Sequence, residues 1–387
     1  MCTAASASRR EDGMEARDKA LDGLRGIAIL LVLATHFLHL KATGPLSQWI
    51  HALARAGWIG VDLFFVLSGF LITRILVGLR EEPGRAQTFY GRRALRILPA
   101  YYAYLGVSLL LIFSLVEDAT ALADTRRHLP GLMLFGQNLG SAWLGETALR
   151  ELRHLWSLAV EEQFYLLWPW LVWWLRPARL ADACLAVLAF CWACKLALWL
   201  SGAEAMSIYY FTLTRMDGFA VGGFLAARLC RGELRLPRRY ALAPVLAGLF
   251  LLAVFLSQRS LPHREQAGLG ALLTSATPLL FGGLLYQTLL SPPRSWLRRA
   301  LQVRWLGFFG RYSYGIYLVH FAAASLVLLL LRPRWPAVFA GNLGAILLAA
   351  CGVLVSVALA LLLHRLVEAP ALRLKDRLGA TRQLALG

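Results

Sequence analysis

Arg25 and His36 bracket LRGIAILLVLATH, an apolar run fit to cross a membrane yet opened by a charge and interrupted by an imidazole. Eleven residues at 100° each bring the two within ~20° of one helix face, about 16 Å apart along the axis. Arg25 has a ready explanation, since a basic side chain near a helix end reaches the headgroups. Asp22, one turn earlier, can pair with it. His36 lies deep in the run, where a lone polar group costs several kcal/mol unless it is partnered or faces water. An imidazole there is either a hydrogen-bonded structural group or one that moves protons.

A second constellation is HLWSLAVEEQFYLLWP, residues 154–169. Ser157 and Glu161 are four apart and share a face, with His154 three residues further back and Tyr165 one turn beyond Glu161. The adjacent carboxylates Glu161 and Glu162 cannot both face lipid, so one needs a polar cavity. A membrane-interface belt explains Trp156, Trp168, Trp170, Trp173 and Trp174 but not the carboxylates. In FYGRRALRILPAYY, Arg92, Arg93 and Arg96 cluster within one turn, and guanidinium groups so placed suit phosphate oxygens. Topogenic charge explains them equally well, and Pro99 is placed to kink the helix that follows. Gly57, Gly60, Ser68 and Gly69 in GWIGVDLFFVLSGFLIT read as close-packing positions, with Asp62 interfacial. Arg215 and Asp217 in RMDGFAVGG read as a local ion pair at a helix end, and Tyr317 and His320 in GRYSYGIYLVH as core residues.

The elements that must carry these residues are membrane helices. The chain has 387 residues, 58% hydrophobic and only 16% charged, against about 25% charged in soluble domains. Its mean hydropathy is +0.58. Spans of roughly 20 apolar residues fall at 24–41, 58–78, 95–116, 155–175, 183–200, 208–229, 241–257, 267–290, 306–331 and 337–364. The fold class expected is therefore all-α: a polytopic integral membrane bundle of about ten helices. Basic residues concentrate in the loops on the side of the N-terminus, which places both termini in the cytoplasm. Residues 1–20 read as a polar, disordered cytoplasmic segment before a retained anchor helix, residues 21–372 as the membrane domain, and 373–387 as a short basic tail. The external loop 117–154 holds HLPGLMLFGQNLG, too short to span and fit for a re-entrant or interfacial piece. The net charge of +18 is spread over short loops rather than one patch, which excludes a nucleic-acid role. The six cysteines show no disulfide or zinc spacing, and no metal site is expected.

Together these stretches resemble the membrane acyltransferase-3 family of the O-antigen acetylase type. The matching pieces, in the family order, are Arg25-x10-His36, GVDLFFVLSGFLI, Arg93-x-x-Arg96, Ser157-x-x-x-Glu161, GRYSYGIYLVH and the terminal Val367–Pro370. The resemblance implies transfer of an acyl group, most often acetyl, from acyl-CoA to a hydroxyl of a cell-surface or secreted carbohydrate such as a polysaccharide, an O-antigen or a lipid-linked glycan. No permanently bound cofactor is expected, and the location implied is the bacterial inner membrane. The catalytic set would be His36 as general base, Glu161 to orient it, and Arg25 along the donor path. Substrate contacts would come from Asp22, Arg92, Arg93, Arg96, Trp156, Ser157, Tyr165, Arg215, Asp217 and His320. The chain carries no recognisable extracytoplasmic hydrolase-like domain, which favours direct transfer. Two alternatives stand beside this reading: a transporter or flippase of an acyl or lipid-linked sugar, because buried ionisable residues also mark transport paths, and acylation of a small molecule such as a macrolide.

Overall fold

Hydrocarbon offers no partner to a bare backbone group, so a chain crossing it must close its hydrogen bonds within helices or a closed barrel. The computed structural model is helical, with no strand among the described residues. These are residues 18–234, 267–336 and 341–374, apart from Ala42, Glu146 and Ala148, together with Leu242, Val245, Leu246, Gly248 and Leu249. The span expected at 241–257 lies largely outside them, as do the polar segment before Asp18 and the basic tail after Leu374.

Helix α1 (Lys19–Phe37) starts at Asp18, whose carboxylate caps it by accepting from the Ala20 N–H. It is followed by α2 (Pro45–Arg55), α3 (Gly60–Gly78) and α4 (Arg85–Leu115). Next come α5 (Ala119–Met133), α6 (Gln137–Leu144) and the single turn α7 (Arg150–Arg153). The middle of the chain forms α8 (Leu155–Trp174), α9 (Leu180–Leu200), α10 (Ala205–Tyr210) and α11 (Thr212–Cys230). The last third forms α12 (Ala267–Leu290), α13 (Trp296–Leu301), α14 (Arg304–Arg311), α15 (Ser313–Leu331) and α16 (Asn342–Leu363). Among the described residues, six stretches are long and apolar enough to cross a membrane: α1, α2 with α3, α4, α9 with the turn before it, α15, and α16 with its continuation to Leu374. Helices α8, α11 and α12 occupy three further expected spans. The chain is a multi-pass membrane protein.

Several expectations need correction. Helix α1 begins at Lys19 and ends at Phe37, so it starts inside the expected polar segment, and His36 lies in its last turn rather than mid-span. The α4 helix is 31 residues long and takes Arg92, Arg93 and Arg96 within its first turns, whereas 95–116 was expected. The span expected at 306–331 is two helices, broken at Tyr312. The loop at 117–154, expected to be external, is mostly helical among its described residues. Its HLPGLMLFGQNLG stretch folds as the end of α5, a turn at Phe135 with φ +53°, and the start of α6. Gln163 of α8 donates to the Phe135 carbonyl at 2.7 Å and to Asn138 Oδ1 at 2.9 Å. Asn138 donates to Thr212 Oγ1 at 2.8 Å, and Thr212 donates back to Gln163 at 2.5 Å, a closed ring that stitches the loop to α8 and α11.

Small residues set the inner contacts, as in most membrane bundles. A Cβ on Gly222 of α11 would overlap the Val66 carbonyl of α3, and one on Gly26 of α1 would overlap the Leu306 carbonyl of α14. Helix α2 is different. It exposes Leu46, Trp49 and Leu53, packs only its other side on the bundle, and its last carbonyl, Arg55 O, accepts from Thr35 Oγ1 of α1 at 2.9 Å.

Charge is buried where α3, α9, α11 and α12 meet. The expected local pair of Arg215 with Asp217 does not form. Arg215, 1% exposed, donates instead to Asp62 of α3, which also accepts from Thr277 of α12. Asp217 pairs with Lys195 of α9 at 2.5 Å, and Lys195 donates onward to the Thr274 carbonyl at 3.0 Å. Asp62 is thus buried rather than interfacial. Removing one member of a buried pair typically costs about 3–5 kcal/mol, while replacing both with apolar residues is often neutral. Asp62→Leu is therefore expected to lower the thermal unfolding midpoint of the purified protein sharply, and Asp62→Leu with Arg215→Leu to recover most of the loss. Equal midpoints for the single and double variants would refute the coupling.

Candidate active site

The last turn of α1 points His36 at α15. His36 Nδ1 lies 3.2 Å from His320 Nε2, and His320 Nδ1 lies 2.5 Å from the Tyr317 carbonyl. A carbonyl only accepts, so His320 Nδ1 carries its proton and His320 Nε2 its lone pair. That lone pair accepts from His36 Nδ1–H, and the free lone pair of the couple is then on His36 Nε2. The arrangement is that of a base oriented by a second group. His320 is fully buried, so its orientation is fixed by packing as well as by the carbonyl.

The start of α8 adds a third imidazole. His154 Nε2 donates to the Leu318 carbonyl at 3.0 Å, and its ring meets that of His320 edge-on, centroids 4.8 Å apart. Tyr317 donates to the His154 carbonyl at 3.0 Å and meets Ser157 Oγ at 2.5 Å. Arg150, from α7, donates Nη2 to the His36 carbonyl at 3.0 Å and lies over Phe321, 5.0 Å from the ring centre. Phe321 in turn packs against both His36 and His320, at 4.5 Å each. Burial lowers the Arg150 pKa while neighbouring Glu151 raises it, and burial also lowers that of His39, just beyond α1.

His36, His154 and Arg150 open onto a cavity of about 540 Å³, within the range of roughly 300–1,000 Å³ usual for small-molecule sites. Trp58, Trp156, Tyr209 and Tyr210 form an aromatic wall, and Arg55 and Arg153 supply further charge. Arg215 stands behind this wall, 4.7 Å from the Tyr209 ring centre and 5.8 Å from that of Trp156.

The expected site residues thus divide into separate groups. His36 and Trp156 line the cavity, His320 lies behind His36 and Ser157 behind Tyr317, with Arg215 behind the aromatic wall and Asp217 beyond, on Lys195. Glu161 does not take up the orienting position beside His36, because His320 fills it. Glu161 instead accepts from Ser68 of α3 at 2.5 Å and from Tyr165, and Arg93 lies 5.2 Å above the Tyr165 ring. Arg92 and Arg96 are exposed on α4. Asp22 and Arg25 are half-buried near the start of α1, about four and three turns from His36, and do not line the cavity. Sequence reasoning missed Arg150 and the two other arginines of the cavity. The available signal was the spacing of Arg150, Arg153 and His154, which one helical turn gathers at the head of α8. Among the described residues no cluster of metal-ligating side chains occurs.

The chain is 30% identical over 333 residues to the peptidoglycan O-acetyltransferase OatA of Listeria monocytogenes, covering 79% of this chain and 49% of that protein. It is 31% identical over 323 residues to the putative peptidoglycan O-acetyltransferase YrhL of Bacillus subtilis, covering 78% and 48%. The O-acetyltransferase OatA of Staphylococcus aureus is 29% identical over 217 residues, covering 53% and 34%. The chain therefore spans about half the length, or less, of these curated relatives. No solved structure matches it. The acyltransferase domain model matches residues 18–365, nearly the whole described bundle, and the chain belongs to the acyltransferase-3 family.

Proposed function

We propose that this protein is an O-acetyltransferase of the bacterial cytoplasmic membrane that moves acetyl from acetyl-CoA to a hydroxyl of a cell-surface carbohydrate, with peptidoglycan-like glycans as the nearest acceptor class. The observation that carries the reading is the His36–His320 couple at a carbohydrate-sized cavity, in a chain whose relatives are named for O-acetylation. Ten membrane helices with both termini inside would put that cavity near the outer face, where a surface glycan is reached.

In this mechanism His36 Nε2 takes the acceptor hydroxyl proton as the oxygen attacks the thioester carbonyl. Arg150, held beside His36, is the charge placed to meet the oxyanion that forms. Collapse of that intermediate expels the CoA thiolate, which takes the proton back from His36, leaving the ester and the thiol. His320 is a positioning residue: its lone pair keeps the His36 proton on Nδ1. The donor enters from the opposite end, its phosphates met by Arg92, Arg93 and Arg96, with Arg25 and the Glu161–Tyr165 pair along the path of its flexible arm.

Purified protein given labelled acetyl-CoA and glycan fragments should form a covalent acetyl product. His36→Ala should lower kcat by about 10²–10⁴-fold, the usual worth of a general base, at unchanged protein level. Full activity in that variant would sink the base assignment. His320→Ala should reduce kcat with little effect on either KM, and His320→Gln, which keeps an acceptor for the His36 N–H, should recover part of it. If both variants behave alike, the positioning role is wrong. Arg92→Ala with Arg96→Ala should raise the KM for acetyl-CoA and leave that for the acceptor in place. An unchanged donor KM would move the phosphate site elsewhere.

A further inference from the structure

A buried ion pair does little for stability that well-packed apolar residues would not do as well, so the place of the Arg215 charge calls for another reason. Asp62 Oδ1 accepts from Arg215 Nη2, and Thr277 of α12 donates to the other carboxylate oxygen, which fixes the guanidinium from α3. Arg215 Nε and Nη1 meet no hydrogen-bond acceptor among the described residues, although the side chain is buried. Ring faces lie against the group instead: Tyr209 at 4.7 Å, Phe65 at 5.5 Å and Trp156 at 5.8 Å. A desolvated guanidinium is attracted to the negative face of an aromatic ring, and its flat shape lets it stack there.

Two of these three rings, Trp156 and Tyr209, line the His36 cavity, and Arg215 does not. The guanidinium therefore meets the wall from its rear. The rings come from different elements. Trp156 is in the first turn of α8 and Tyr209 in α10, a helix of six residues, and a helix that short has little stability of its own. Their centroids are 4.9 Å apart, and Phe65 meets Trp156 edge-on at 6.4 Å. Apolar packing has no preferred direction and leaves such rings free to tilt. A cation held by Asp62 gives both a fixed point.

We propose that Arg215 is a positioning residue: from behind the wall, it holds Trp156 and Tyr209 at the tilt in which they stack on the ring of a bound sugar. That this sugar is an acetyl acceptor rests on the acetyl-transfer reading; the ordering of the wall does not. A wall set before binding spares the ligand the cost of ordering it, so loss of the cation appears as lost affinity. The competing account is purely structural, with Arg215 serving only to neutralise Asp62.

The test uses the purified full-length protein with 5-fluorotryptophan in place of tryptophan, the Trp156 fluorine signal being assigned through Trp156→Phe. Asp62→Leu with Arg215→Leu removes both charges and, on the structural account, leaves a sound site. Positioning predicts that the Trp156 signal shifts or splits in this variant, while that of Trp173, which donates to the Leu76 carbonyl at 3.2 Å, stays in place. It also predicts about tenfold weaker equilibrium binding of chitotetraose, an N-acetylglucosamine tetramer, without acyl-CoA. Arg215→Lys keeps a cation for Asp62 but not the flat plate, so it should fold as the wild type does and weaken chitotetraose by about threefold. It covers the case in which the double variant fails to fold. An unmoved Trp156 signal, or wild-type affinity in both variants, overturns the proposal. Wild-type protein that does not bind chitotetraose overturns the sugar-stacking role. Wild-type protein that binds it but transfers no acetyl refutes the acetyl-transfer reading and leaves the positioning role standing.

Discussion

An ionisable group inside hydrocarbon must be met by a partner or by water, and in this bundle that requirement decides which helices touch. His36 is met by His320, Glu161 by Ser68 and Tyr165, Asp62 by Arg215 and Thr277, and Asp217 by Lys195. Every one of these contacts joins different helices, except that of Glu161 with Tyr165. The polar groups therefore act as register marks: α1 is keyed to α15, α8 to α3, and α11 to both α3 and α9. Apolar packing against small residues supplies the closeness, but an apolar helix can slide by a turn at little cost. A misplaced buried charge cannot.

The marks fall into two sets, and the division has chemical sense. Near the C-terminal end of α1, imidazoles, arginines and aromatic rings surround a cavity. Near its start, and along the first turns of α4, the charge is exposed or half-buried arginine, suited to a strongly anionic, solvated group. The proposed acetyl transfer would use such a separation, its donor and acceptor arriving from opposite sides.

Much of this was legible in the sequence, for identifiable reasons. Apolar length alone located the six stretches long and apolar enough to span among the described residues, and the 11-residue spacing of Arg25 and His36 fixed their common face without any fold. Partner identity was not legible, because spacing along a helix says nothing about which other helix lies against it. Arg215 and Asp217 looked like a local pair since they are two apart, yet at that offset helical side chains diverge, and each found a carboxylate or ammonium on another helix. Glu161 looked like the group to orient His36 because carboxylates often take that role, whereas His320 holds the position. The loop was misread for a related reason. Its hydrogen-bond ring of Gln163, Asn138 and Thr212 joins three distant stretches, and no local pattern announces such a ring.

Helix α2 gives the site an unusual boundary. It turns Leu46, Trp49 and Leu53 outward and delivers Arg55 to the cavity at its other end. An amphipathic helix of this kind belongs in the headgroup layer. With α2 in that layer, one wall of the cavity would be seated in the surrounding lipid, and the leaflet itself would serve as part of the scaffold. Bilayer thickness and headgroup charge become structural variables of the site, on the same footing as the side chains that line it.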